Sequence, residues 1–305
     1  MVSEGPILCL GEAIVDLVCE REVESIGEAD GFVPHFGGAL ANVAVAAARS
    51  GAKAALAGGV GTDPWGNWLA ARLATEGVDL TWLSQLEGIQ TPVAFVTFDH
   101  RREPSFQIYG DGLAAGMHSL EGCIDEAVES AAAVVFGSNT LVGPVERELT
   151  TAARARALEA GVPVLFDPNV RPNRWEDLAT VAELSRDLAA DATVLRVNLD
   201  EARLLASAGE ASNPGELAEA LLRLGPRLVV VSLGADGALV RGAASASVGA
   251  EAVEVVSPLG AGDAFMGAFA AGLAERDWDL TVADEALPHA VAAGSAACAH
   301  WGAIG

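Results

Sequence analysis

The stretch VVSPLGAGDAFMGAFAAGL, Val255 to Leu273, carries one charged residue, Asp263, behind a proline and a Gly-Ala-Gly turn and ahead of a run of small and apolar side chains. Gly260, Ala261 and Gly262 leave backbone N–H groups open to an anion. A helix starting there adds about half a positive charge at its N-terminus. A phosphate bound at that turn would have Asp263 beside it. A carboxylate so placed can take the proton of an attacking hydroxyl, the base role in phosphoryl transfer. Taken alone, the same residues also read as an acidic first turn behind a glycine loop, which helices favour for capping.

Other short segments could bring ligands to that carboxylate. In FGGALANVAVAAARSG, Phe36 to Gly51, the pair Gly37 and Gly38 lets the backbone close on a ligand, and Asn42 lies one turn into a helix; a tight turn with an inward-facing Asn is the alternative. FDPNVRPNRW, Phe166 to Trp175, gathers Arg171 and Arg174 beside Asn169 in an otherwise acidic chain, which suits anionic or oxygen-rich ligands; surface salt bridging competes, most strongly for Arg174. In VNLDEARLL, Asn198 and Glu201 have capping-box spacing, yet they follow a candidate strand, where a nucleotide or metal role stays open. VVVSLGADGALV reads as strand, turn and strand, with Gly234 and Gly237 clearing space for a flat base. In GGVGTDPWG, Thr62 or Asp63 caps a helix with Pro64 at its first position, a structural reading.

These residues need a frame. Apolar runs of strand length, at 7–10, 54–58, 132–136, 162–166, 193–197 and 228–232, alternate with helical stretches at 40–49, 65–75, 145–160, 181–190 and 215–224. Such alternation predicts an α/β fold with a mostly parallel sheet covered on both faces by helices, its ligands held at the carboxyl ends of the strands. Two segments break the pattern. Residues 13–34 and 91–109 read as short alternating strands, with His100 to Pro104 as a hairpin loop, and form a small β-sheet lid inserted in a single domain spanning 1–305.

Composition bounds the partners. The 305 residues carry 18 Lys+Arg against 42 Asp+Glu, a formal charge of −24. That field repels nucleic acid and anionic membranes, and a polyphosphate needs Mg²⁺ or a local positive pocket. Cys9, Cys19, Cys123 and Cys298 form no C-x-x-C pair, consistent with reduced thiols and a cytoplasmic location. The N-terminus lacks a basic leader, and the apolar run after Asp263 meets Glu275 and Arg276 too soon to span a bilayer. Leu10 to Ile14 does not supply the G-x-G-x-x-G of a dinucleotide-dependent oxidoreductase, and no P-loop signature is present.

In order, these segments resemble the PfkB, or ribokinase-like, family of carbohydrate kinases over nearly the whole chain. GGALANVAVAAARSG and PLGAGDAFMGAF are specific as a pair; FGSNTL and AFVTFDHRREPSFQIYG resemble the fructokinase branch. The resemblance implies a three-layer αβα fold with a β-sheet lid, and transfer of the γ-phosphoryl of ATP to a sugar hydroxyl with Mg²⁺. It implies Asp263 as base and Gly260, Ala261 and Gly262 as anion hole. Asp16, Gly38 and Asn42, with Gly37 beside them, would contact substrate hydroxyls, and Arg171 would lie near the substrate. Asn198 and Glu201 would serve phosphates and, indirectly, the metal; Ser232, Gly234 and Gly237 would line the nucleotide. Fructose is the first expectation for the acceptor, 2-keto-3-deoxygluconate the second and a nucleoside the third. A non-catalytic sugar or nucleotide sensor on the same scaffold is the rival, motivated by Ser257-Pro258 where the family has Asp-Thr. That departure also puts a K⁺ site in doubt. The chain ends sooner after Gly302-Ala303 than family members do, and a homodimer through the lid is the expected assembly.

Overall fold

The computed structural model describes residues 4–110 and 112–304. Among these, nine strands form one sheet. Its order is Leu83–Leu86, Ala54–Gly61, Ile7–Leu10, Ala133–Phe136, Val164–Phe166, Val194–Asn198 and Leu228–Ser232, all parallel, followed by Ala238–Gly242 and Ala246–Val248, which are antiparallel. The central strands are continuous apolar runs because both faces are covered. Ile7 and Cys9 join the core beneath the helices Ala39–Arg49, Ala261–Ala274 and Leu287–Ala297, whereas Leu8 and Leu10 join the opposite core beneath Ile124–Glu129, Pro144–Ala160 and Pro214–Leu222. This period-two division makes three layers, the αβα arrangement expected.

The second sheet has four strands, ordered Val33–Gly37, Ile14–Glu22, Val93–Phe98 and Pro104–Tyr109. Its first and last pairs are antiparallel and the middle pair parallel. Ile14, Val18, Ala94, Val96 and Phe98 pack with Leu259 and Ala303, which ties this sheet to the loop ahead of the Ala261–Ala274 helix.

Three boundaries differ from the sequence expectation by three residues. The strand expected over 54–58 continues to Gly61. Its glycines mark close backbone approach rather than a turn: a Cβ on Gly58 would strike the carbonyl of Gly11. The small-sheet strand Val33–Gly37 runs past the expected end at Pro34 and delivers the chain directly to the next helix. The helix expected from Val181 starts at Leu178, because Asp177 accepts from Ala179 N and caps it. Asp63 caps the Pro64–Thr75 helix by accepting from Gly66 N at 2.9 Å, as expected. Among the described residues no helix is long and apolar enough to cross a membrane.

Candidate active site

Asp263 is the third residue of the Ala261–Ala274 helix and only 6 % exposed. Gly260, ahead of it, has φ +76, and a Cβ there would strike Ala303, so the entry to the helix requires glycine. Two amides hold the carboxylate. Asn42 Nδ2 donates to Oδ2 at 2.8 Å, and Asn169 Nδ2 donates to Oδ1 at 3.0 Å. The helix 39–49, the helix 261–274 and the loop after strand 164–166 therefore meet at one carboxylate. Burial pushes Asp263 above the usual carboxylate range, against the lowering pull of Asn42, Arg171, Arg196 and Asn169.

A cavity of about 710 Å³ opens over Asp263 and is lined also by Gly260, Gly262, Asn169, Arg171, Arg196, Asn198, Ser232 and Gly234. The small sheet contributes Pro104, Ser105 and Phe106 to its wall. Asn173 Nδ2 donates to Phe106 O at 2.7 Å, and the Arg171 guanidinium lies 5.1 Å from the centroid of the Phe106 ring. A second cavity of about 470 Å³ runs from the same helix start between Gly234, Gly237, Val253, Phe265, Val291 and Gly294. The two share Arg196, Ser232, Gly234, Pro258 and Gly262. A polar chamber and a more apolar slot thus join at a helix N-terminus, which suits two ligands that exchange an anionic group.

Asp16, Gly37, Gly38 and Asn42 are gathered here but stand behind the cavity wall. Asp16 lies against Gly37, where a side chain would strike its carboxylate. Burial raises Asp16 to about 8; Arg171 lowers it, and Asp263 and Glu12 add to the rise. Gly38 has φ +98, and a Cβ there would strike the Glu12 carbonyl. Asn198 and Glu201 form the capping box in full: Glu201 N donates to Asn198 Oδ1 and Asn198 N to Glu201 Oε2, both at 2.9 Å. Glu201 Oε1 also accepts from Val170 N at 2.7 Å. Both oxygens of this carboxylate thus brace backbone, and only Asn198 of the pair lines the cavity. Gly237 lines the apolar slot, but its missing Cβ makes room for the Val248–Ala250 backbone.

Sequence reasoning missed four residues of this centre. Arg196 donates from Nη1 to Asp167 Oδ2 at 3.0 Å and from Nη2 to Ser232 Oγ at 2.7 Å. Burial lifts Asp167 to about 7, against the pull of Arg196. An arginine inside the apolar run VLRVN was the available signal. Glu12 accepts from Ala39 N at 3.2 Å and Asn139 Nδ2 at 2.8 Å; an acid at the carboxyl end of a buried parallel strand pointed to it.

Residues 6–305 match the family described as pfkB family carbohydrate kinase. The chain belongs to the pfkB family. Fructokinase-2 of Solanum habrochaites is 31% identical over 298 residues, covering 97% of this chain and 89% of that protein. A fructokinase double mutant from Vibrio cholerae O395, solved with fructose, ADP and potassium ion, has a TM-score of 0.83 and 29% identity, covering 100% of this chain and 95% of that one. An aminoimidazole riboside kinase from Salmonella enterica, solved with aminoimidazole riboside and an ATP analog, has a TM-score of 0.80 and 29% identity, covering 98% and 95%. The protein is an ATP-dependent carbohydrate kinase with the ribokinase-like fold.

Two ions require a fit. The pfkB chain offers Mg²⁺ no cluster of three or more His, Cys, Asp or Glu side chains among the described residues. An ion held mostly by phosphates and water does not need one. Where the family resemblance would put a K⁺ ligand, Ser257 is fully buried, and its Oγ accepts from Leu259 N at 3.2 Å. Val256 N and Ser257 N both donate to Cys298 O, at 2.8 and 3.2 Å. Ser257 offers no anionic oxygen, and this segment does not fit a cation that relies on one.

Proposed function

We propose that this chain transfers the γ-phosphoryl group of ATP to a hydroxyl of a small sugar, fructose first, with Asp263 as general base. The supporting observation is the meeting of the two cavities at the start of the Asp263 helix. The polar chamber would take the sugar and the phosphates, and the apolar slot the base and ribose. The acceptor hydroxyl gives its proton to Asp263 as its oxygen bonds to the γ-phosphorus; the bond from that phosphorus to the ADP oxygen breaks, and ADP leaves with the electron pair. Gly260 and Gly262 would present N–H groups to the charge on the transferring oxygens, and Ala261 N, which makes only a long 3.4 Å bond to Pro258 O, would turn to join them. Bound Mg²⁺ supplies charge neutralisation along the phosphates, and Asn198 would meet it through water, with Glu201 holding Asn198 in place.

The small sheet acts as the lid of a single domain in this reading. Its Phe106 edge already touches the Arg171 loop, and Asp16, on its second strand, would accept hydrogen bonds from sugar hydroxyls. Closure would keep water from the donor. The free cysteines are compatible with a cytoplasmic location, and exposed Val33 and Tyr109 with a second copy docking on the lid. The fructokinase relatives favour fructose. Arg171 on the chamber wall favours 2-keto-3-deoxygluconate as second choice, since it could pair with that carboxylate.

ADP release measured with fructose, 2-keto-3-deoxygluconate and a nucleoside tests the reading. Fructose should give the highest kcat/KM. A preference for the keto acid would replace fructose with it, and no ADP above background with any sugar would return the scaffold to a sensor role.

A further inference from the structure

Arg196 stands in the middle of the buried strand 194–198, where its neighbours are apolar and it is itself 6 % exposed. A buried ion pair is weak evidence of stabilisation, since apolar residues of similar volume often serve as well. Its position points to another use. The guanidinium lines both cavities at their junction, whereas Arg171 lines only the acceptor chamber. Asp167 and Ser232 hold its two terminal nitrogens, while Nε is buried without a partner. A Cβ on Gly262 would lie 2.8 Å from Nη1, so the guanidinium rests against the first turn of the Asp263 helix.

We propose that Arg196 is a catalytic residue that binds the γ-phosphoryl group as it passes from nucleotide to acceptor, and that Asp167 and Ser232 are its positioning residues. This rests on the assignment of the two cavities to sugar and ATP. The physical need is local. Asp263 lines the chamber, and Asp167, Glu201 and Asp263 all act on Arg196, in a chain of net charge −24, while backbone N–H groups supply only partial charges against a highly anionic ligand. A fixed cation at the crossing point offsets that repulsion, and a guanidinium fork matches phosphoryl oxygens. Arg196 stays protonated throughout; the proton released by the hydroxyl goes to Asp263.

The test compares ADP with a non-hydrolysable ATP analogue. Arg196→Gln should weaken the analogue about tenfold, leave ADP within about twofold, and lower kcat on the order of 10²–10³-fold with little change in the sugar KM. Should Arg196→Gln fail to fold, Arg196→Lys keeps a charge opposite Asp167 and loses the fork, and the analogue should still lose affinity relative to ADP. Asp167→Asn should reduce the same analogue-to-ADP preference, which a merely structural role would not change. Equal loss of both nucleotides, or kcat within a few-fold of the parent, overturns the proposal. Asp263→Asn separates the two readings, because it should stop turnover without altering that preference.

Discussion

Asp263 combines two conditions that a base for an alcohol needs. It is buried enough to be raised, and its two amide donors, Asn42 and Asn169, fix both oxygens while leaving it open to the chamber. An amide in its place keeps size and most contacts but cannot take a proton. Asp263→Asn should therefore lower kcat by about 10²–10⁴-fold with nucleotide affinity preserved. Steady-state kinetics beside calorimetric titration of ADP measure both quantities, and an unchanged kcat would remove Asp263 from the base role. Arg171 illustrates a different residue-level point: its charge was read from the sequence, but its stacking on Phe106 of the small sheet was not.

Between elements, the decisive contacts are those that join the loop 256–260 to its neighbours. Val256 and Ser257 N–H groups bond to Cys298 O, Leu259 packs under the small sheet, and Gly260 abuts Ala303. The turn proposed as the anion hole is thus held by protein–protein hydrogen bonds and apolar packing. A monovalent cation should add little where Ser257 stands in place of the family's carboxylate. Activity should change less than about twofold when K⁺ is exchanged for tetramethylammonium at fixed ionic strength. Strong activation by K⁺ would mean that backbone carbonyls alone bind it.

Across the molecule, acidity has a price in stability. Asp16 is raised to about 8 and Asp167 to about 7, chiefly by burial, whereas both would titrate near the ordinary 3.8 when unfolded. Between those values the folded chain holds protons that the unfolded chain has released, so stability falls as pH rises from about 4 to 8. Asp16→Asn removes one of these groups. Its Tm should exceed that of the parent by a few degrees near pH 9, with the gap closing toward pH 4. Thermal unfolding across that range measures it. The net charge of −24 affects both proteins almost alike and largely cancels in the difference. A gap independent of pH would show that Asp16 is not raised in the fold.

The alternation of apolar runs with helical stretches determined the layered fold, because a strand buried on both faces must be apolar throughout and a covering helix must show one apolar face. Glycine pairs and a lone acid pointed to where a ligand could sit, although a glycine turn ahead of an acidic first turn is also an ordinary helix start. Local pattern could not decide partners far apart in the chain. Asn42 and Asp263 are 221 positions apart, and Arg196 reaches Asp167, just past one flanking strand, and Ser232, at the end of the other. For Asn198 and Glu201 both readings fitted the same spacing; the fold made the capping box and left Asn198 alone facing the chamber. Glu12 gains its partners, Ala39 N and Asn139 Nδ2, from positions 27 and 127 residues away. Such pairings depend on strand order and helix packing, which arise from long-range burial rather than from the residues on either side.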